Sequence, residues 1–249
     1  MKEYDLICSL GGNCSAAHNL RFRNLRKFSL PFDWCYMVDE TPIFKLAECF
    51  QSNSLLKIAC KNNLLPLTDE EERSVMFHSD TVHYKDQYSG FYFVNHFHKT
   101  LQDGGYEDFR KSFETRLLRL AEYIEKSRNI LFVLATAFEF DVSAVLQLQQ
   151  VLIQKYPEKN IDFYIIMFNS SDDKTINENP SLVVNKYKRK QNVYDFSKTN
   201  FEWHFLDDIE NSKLLPSGNY LSALEKLFIK TCPFKKFRKE LRKIYGIGR

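Results

Sequence analysis

Apolar residues in this chain follow two rhythms, and the changes of rhythm mark the elements. Tyr4 to Leu10 is a short apolar run, the pattern of a buried strand. Gly11 and Gly12 end it, and the spacing then turns helical from Cys14 to about Leu25, with Ala17 and Leu20 inward. Thr41-Pro42 predicts a helix start, with Thr as cap and Pro in the first turn. Ile43, Leu46, Ala47 and Phe50 follow at helical spacing, and Thr68-Asp-Glu-Glu71 has the capping-box pattern. Val75-Met-Phe-His and Phe91 to His98 are aromatic and rich in strand formers.

Asp103-Gly-Gly105 predicts a turn, and Phe109, Phe113, Leu117, Leu120 and Ile124 predict a long amphipathic helix. Asn129–Ala135 and Ile161–Phe168 are further buried strands. Between them Val142, Val145, Leu146, Gln149, Leu152 and Ile153 form a helix face capped by Asp141. Asn169 to Pro180 is polar and predicted as a mobile loop. Leu182–Tyr187 and Phe201–Leu206 are predicted strands, and Tyr220–Ile229 a late helix with Leu221, Leu224, Leu227 and Phe228 inward.

This alternation predicts an α/β fold: a mainly parallel central sheet with helices on both faces. Neither repeats nor a low-complexity linker interrupt the chain, so residues 1–249 are expected to form a single domain. An aromatic-rich insertion at about 60–105 would lie over the sheet. At about 233–249, Phe234, Phe237, Leu241 and Ile244 share one face of a basic amphipathic helix. That tail suits peripheral contact with an anionic membrane, or an edge helix with a solvated basic side.

The charge balance adds little, since 35 Lys and Arg against 32 Asp and Glu leave +3, too weak to predict a nucleic-acid partner. The start lacks the pattern of a signal peptide, and no stretch is long and apolar enough to span a bilayer. A cytoplasmic protein is expected, at most peripheral at the inner face of the membrane. The six cysteines are scattered without a Cys-x-x-Cys pair. They predict neither disulfides nor a zinc site, and no metal or other cofactor is expected.

Cys14 stands apart by context. The glycine pair permits a tight strand-to-helix turn, and the following helix would aim its free N–H groups at the sulfur. Such a setting predicts a lowered thiol pKa. Ligands of open parallel sheets bind beyond the carboxyl ends of the strands. Gly11–Cys14, Thr136–Glu139 and Asn169–Asp172 leave those ends.

Ser9-Leu-Gly-x-x-Cys14-x-x-Ala17-x-x-Leu20, followed by Leu25-Arg26-x-x-Ser29-x-Pro31-Phe32-Asp33-Trp34, resembles an uncharacterised bacterial family described as papain-like cysteine peptidases. Its members are associated with surface-polysaccharide gene regions and carry a histidine in a later aromatic segment, matched here by His96. The chain departs from papain itself. It lacks Cys-Gly-Ser/Ala-Cys-Trp/Tyr at the nucleophile, and the histidine follows after about 80 residues instead of about 130–150. The Gly12-Asn13-Cys14 turn is also similar to the nucleophile loop of GDSL-type esterases, with Cys for Ser, and to that of some capsule-biosynthesis acyltransferase-like proteins.

The residue types suit a cysteine-dependent acyl hydrolase or acyltransferase in cell-surface polysaccharide biosynthesis, acting on a small-molecule or glycan substrate. Cys14 would attack, with His96 as base and then acid. Backbone N–H groups at Gly12–Cys14, with the Asn13 side chain, would hold the oxyanion. Asp33 would orient the histidine, bind polar substrate groups, or only fix a turn. Trp34 would stack on a sugar, wall the site or belong to the core. Arg26 would meet a phosphate or carboxylate. His18, one turn after Cys14, competes with His96 as partner, and His98 more weakly. A papain-like peptidase uses the same residues. A nucleotide-sugar or coenzyme A binding protein, or a transferase without a cysteine nucleophile, would use the glycine turn for phosphate.

Overall fold

The computed structural model describes residues 2–23, 25–26, 28–75, 81–189 and 201–211. The expected helices at 220–229 and 233–249, and residues 76–78 of the first aromatic segment, lie outside these.

The N-terminal apolar run is two strands, β1 (Lys2–Tyr4) and β2 (Leu6–Ser9). Asp5 divides them, its carboxylate accepting the N–H groups of Arg128 and Asn129 at 2.7 and 2.9 Å. Helix α1 (Ser15–Phe22) follows, then β3 (Cys35–Tyr36) and α2 (Thr41–Gln51). Thr41 lies inside α2 rather than capping it, and Asp39 Oδ1 accepts the Thr41 N–H at 2.9 Å. Next come β4 (Leu64–Pro66) and α3 (Asp69–Val75). The capping box forms at α3, with Glu71 Oε2 3.0 Å from the Thr68 N and Thr68 Oγ1 3.3 Å from the Glu71 N.

Strands β5 (Val82–Asp86) and β6 (Tyr92–Phe97) lead to the long helix α4 (Gly105–Lys126), whose Phe109, Phe113, Leu117, Leu120 and Ile124 are all buried. β7 (Asn129–Thr136), α5 (Ser143–Lys155), β8 (Asn160–Phe168), β9 (Lys174–Asn179), β10 (Leu182–Tyr187) and β11 (Ile209–Asn211) complete the described order.

The main sheet has the order β2-β7-β8-β10-β9. β2, β7, β8 and β10 run parallel, and β9 is an antiparallel edge. Alternation along β7 separates its two faces. Ile130, Phe132 and Leu134 pack with α2, α4 and α5, while Leu131, Val133 and Ala135 pack with Ala16 and Leu20 of α1 and with Trp203 and Leu206. Helices therefore cover both faces, as the alternation of elements predicted. β1 and β11 form a separate parallel pair.

A second sheet, β3-β6-β5-β4, is antiparallel. Its Tyr84, Phe91, Phe93 and Phe97 join the same apolar cluster as Phe132 and Phe163, so the aromatic stripe is packing material.

Local pattern also misled elsewhere. The polar segment 169–180 contains β9, because an edge strand needs only one partner and keeps its polar side chains in water. Phe201–Leu206 is part of a 3-10 helix, Phe201–Asp208. There the three-residue spacing of Trp203 and Leu206 stacks both under the sheet, as a strand would not. In α5 it is Leu148 that is buried, and Ile153 is exposed. Val142, not Asp141, is the N-cap of α5, and Asp141 Oδ1 accepts the Ser143 N–H at 3.0 Å from the position before it.

Candidate functional site

The turn after β2 is held open by its two glycines. Gly11 and Gly12 have φ of 87° and 85°, a region that costs other residues about 1–2 kcal/mol. Space is equally restrictive. A Cβ on Gly12 would sit 2.2 Å from the Ala135 carbonyl oxygen, and one on Gly11 2.9 Å from that of Cys35. The turn is therefore wedged between the carboxyl end of β7 and the segment 32–37. Met37 N–H donates to the Gly12 carbonyl at 3.2 Å, and Ser9 Oγ accepts the Gly11 N–H at 3.2 Å.

Cys14 opens α1 and is half-buried between the buried Asn13 and Ser15. The sequence predicted a lowered thiol pKa, and the structure reverses that direction. Burial pushes the Cys14 thiol up, against a smaller pull from its own backbone N–H. Asn13 Oδ1 takes the first amide of the helix, accepting the Ser15 N–H at 2.9 Å and the Ser15 hydroxyl at 2.6 Å. That amide does not point at the sulfur, so the resting group is a thiol.

The Pro31–Trp34 segment carries most of the polar structure around this turn. Asp33 is buried, and its Oδ2 accepts Arg26 Nε–H and the Leu30 N–H, each at 2.8 Å. Burial pushes the Asp33 carboxyl up, while Arg26, the Leu30 N–H and Arg116 pull it down. Arg26 also donates to Ser29 Oγ at 2.7 Å and lies 5.1 Å from the centre of the half-buried Trp34 ring. His18 meets the same indole edge-on at 4.8 Å. Arg26 and His18 thus both contact Trp34. Burial, then Arg26 and Arg21, push the His18 pKa down.

His96 approaches from β6. The β3–β6 ladder pairs Cys35 with Phe93, which runs His96 alongside the 32–34 segment. Its ring lies edge-on to Phe93 and Phe109 at 5.5 and 5.6 Å. Burial, then the Arg116 charge, push its pKa down to about 3, against the Trp34 backbone carbonyl. Nε2 is buried without a hydrogen-bond partner. Asp33 spends its hydrogen bonds on Arg26 and Leu30, and the described contacts include no Cys14–His96 or Asp33–His96 hydrogen bond. His98 lies exposed beyond the end of β6.

Three groups near these residues escaped the sequence reading. Tyr36 is close enough for the Cys14 thiol to raise its phenol, second to burial. Arg116, on α4, acts on the Asp33 carboxyl, and Arg119, one turn on, donates to the Ser29 carbonyl at 2.9 Å. Arginines inside an amphipathic helix pattern carry no signal in sequence alone. The described residues include no cluster of His, Cys, Asp or Glu that could hold a metal ion.

A neutral, half-buried imidazole has a measurable consequence. The His96 pKa lies below its unfolded value of 6.5. Between about pH 6.5 and 3 the unfolded chain therefore binds more protons, and stability falls as pH falls through that window, by roughly 5 kcal/mol at most. Denaturant unfolding at pH 7.5, 5.5 and 4 is expected to show a smaller acid loss in His96→Phe than in the wild type. Equal losses would mean that the ring is already solvated.

Residues 5–173 match the model of a family described as "Putative papain-like cysteine peptidase (DUF1796)". Neither the curated proteins nor the solved structures contain a match to this chain. The matched span holds Cys14, Arg26, Asp33, Trp34, His96 and Arg116.

Proposed function

The chain belongs to this family, described as papain-like cysteine peptidases, and from that premise we propose a cysteine-dependent enzyme of acyl transfer or hydrolysis, with Cys14 as nucleophile. The position of Cys14 carries the reading. It is half-exposed at the start of a helix, where β2 and β7 end, on a turn whose glycines leave no room for a side chain. Chemistry on parallel sheets concentrates at such ends.

In this reading Cys14 Sγ attacks an acyl carbonyl. Its proton passes to Nε2 of His96, and backbone N–H groups of the Gly12–Cys14 turn bind the oxyanion. The leaving group departs with that proton, giving an acyl-thioester on Cys14. Water or an acceptor hydroxyl then releases the acyl group and regenerates the thiol. The orientation of His96 supports its role, since one side of the ring faces the Trp34 carbonyl and the unpartnered Nε2 is left to accept a proton. Because the resting sulfur is protonated and the imidazole neutral, proton transfer accompanies attack instead of preceding it. The Trp34 ring suits the face of a sugar. We place the reaction on intermediates of cell-surface polysaccharide assembly, in keeping with the resemblance of the Cys14 and Pro31–Trp34 motifs.

Acylation of Cys14 by small acyl thioesters, read by intact mass, tests the reading. Cys14→Ser is expected to lower turnover roughly 10³-fold or more, and His96→Asn roughly 10²-fold or more. Alkylation of Cys14 by iodoacetamide should be slower at pH 7 than that of a free thiol and should accelerate in alkali, following the raised pKa. Full turnover by Cys14→Ser would end the proposal. Rapid labelling by an epoxysuccinyl peptide, with no acylation by thioesters, would move the assignment to a peptidase.

A further inference from the structure

The most unusual feature outside the thiol is a concentration of positive charge behind Trp34. Three guanidinium groups converge on the Ser29–Asp33 turn. Arg26 donates to Asp33 at 2.8 Å and to Ser29 Oγ at 2.7 Å. Arg119 donates to the Ser29 carbonyl at 2.9 Å, with its guanidinium 5.5 Å from the centre of the Phe28 ring. Arg116 comes from the same face of α4, flanked by the buried Phe113 and Leu120. Phe113 packs 6.4 Å from Phe32 and 5.4 Å from Phe93, which brings Arg116 against the Asp33 segment.

Arg116 is half-buried, and among the described residues it has no hydrogen bond and no ion pair. The described groups that act most strongly on Arg116 are Asp33, Cys35, Arg26 and Arg119, and Arg116 in turn acts on His96. Asp33 is the carboxylate among them and is taken by Arg26. Asp86, which faces Cys35, has its oxygens bonded to Ser89 and to the Ala59 and Tyr88 amides. Among these described groups three cations meet one carboxylate, an excess of two positive charges on partly desolvated side chains. Such an excess costs stability unless a ligand meets it.

We propose that Arg116, with Arg119 and Arg26, forms a binding site for the phosphate group of a phosphorylated substrate. A phosphate dianion matches the excess charge, and a planar fork of N–H donors suits its oxygens. The His96 ring lies in the same electrostatic neighbourhood. Trp34, stacked on Arg26, borders the cluster. The site deepens the proposed function by naming a substrate class, and rests on it only for the purpose that binding serves.

Titration calorimetry with inorganic phosphate, glucose 1-phosphate and acetate tests the site on the full chain. Saturable binding of both phosphates, at least about tenfold tighter than acetate, is expected in the wild type and equally in Cys14→Ser. Arg116→Gln should weaken phosphate binding about tenfold or more. Arg116→Lys, which keeps a point charge, should weaken it about threefold, and Lys111→Gln on the exposed face of α4 should leave it unchanged. Should Arg116→Gln fail to fold, the wild type and Arg116→Lys still decide the matter. No saturable phosphate binding, acetate binding as tight as phosphate, or equal binding by a folded Arg116→Gln would each overturn the site. Since Cys14→Ser retains the arginines, failure of the thiol chemistry would leave this result standing.

Discussion

Gly12→Ala is expected to abolish most of the native protein. Two costs combine at this position. At φ of 85° a Cβ costs about 1–2 kcal/mol on its own. The added methyl would also lie 2.2 Å from the Ala135 carbonyl oxygen, a backbone atom of the sheet that cannot rotate away. Relieving the contact means parting the Cys14 turn from the end of β7, so a total of about 4 kcal/mol or more is expected. That is a large share of the roughly 5–15 kcal/mol that holds a typical domain together. Gly104→Ala provides the control. Its φ is 81°, yet nothing lies within 4 Å of the new Cβ, so only the backbone cost of about 1–2 kcal/mol applies. Soluble yield and denaturant midpoints compare the two directly. A Gly12→Ala protein as stable as Gly104→Ala would show that the turn is not clamped against β7.

Removing the Asp33 carboxylate has the second large effect. Its side chain is 1% exposed and that of Arg26 is 8%, so neither charge can fall back on water. Asp33→Ala strands the guanidinium and leaves the Leu30 N–H without its acceptor. The expected loss is about 3–5 kcal/mol. Arg26→Ala with Asp33→Ala should cost less than the sum of the single changes by about 2 kcal/mol or more, because the stranded charge is gone. A double-mutant cycle of unfolding free energies measures this. Additive losses would mean that water already screens the pair.

The two predictions concern the same construction. The Cys14 turn is wedged between β7 and the segment 32–37, and Asp33 anchors that segment through Arg26. Loosening either side should move the thiol relative to Trp34 and His96. Variants that remain folded are therefore also expected to show altered alkylation of Cys14.

Some features of this chain depend on neighbours in sequence and were legible there. β7, β8 and β10 follow from apolar runs, α4 from the recurrence of Phe109, Phe113, Leu117, Leu120 and Ile124, and the α3 cap from Thr68 and Glu71. The parallel sheet covered on both faces follows from the order of these elements, and the glycine turn marked Cys14. Periodicity could not show β9, because an edge strand in water needs no apolar pattern, nor the 3-10 helix at 201–208, whose form depends on packing beneath the sheet. Above all it could not set the charge states. A helix start predicts an activated thiol, but burial pushes the Cys14 thiol up. The pairing of Asp33 with Arg26, the neutrality of His96 and the exposure of Arg116 to a single, already paired carboxylate arise between residues 7 to more than 80 positions apart. Sequence determines which groups exist and which local element carries them. Desolvation and Coulomb energy are set by distances in space, and only the tertiary fold decides those.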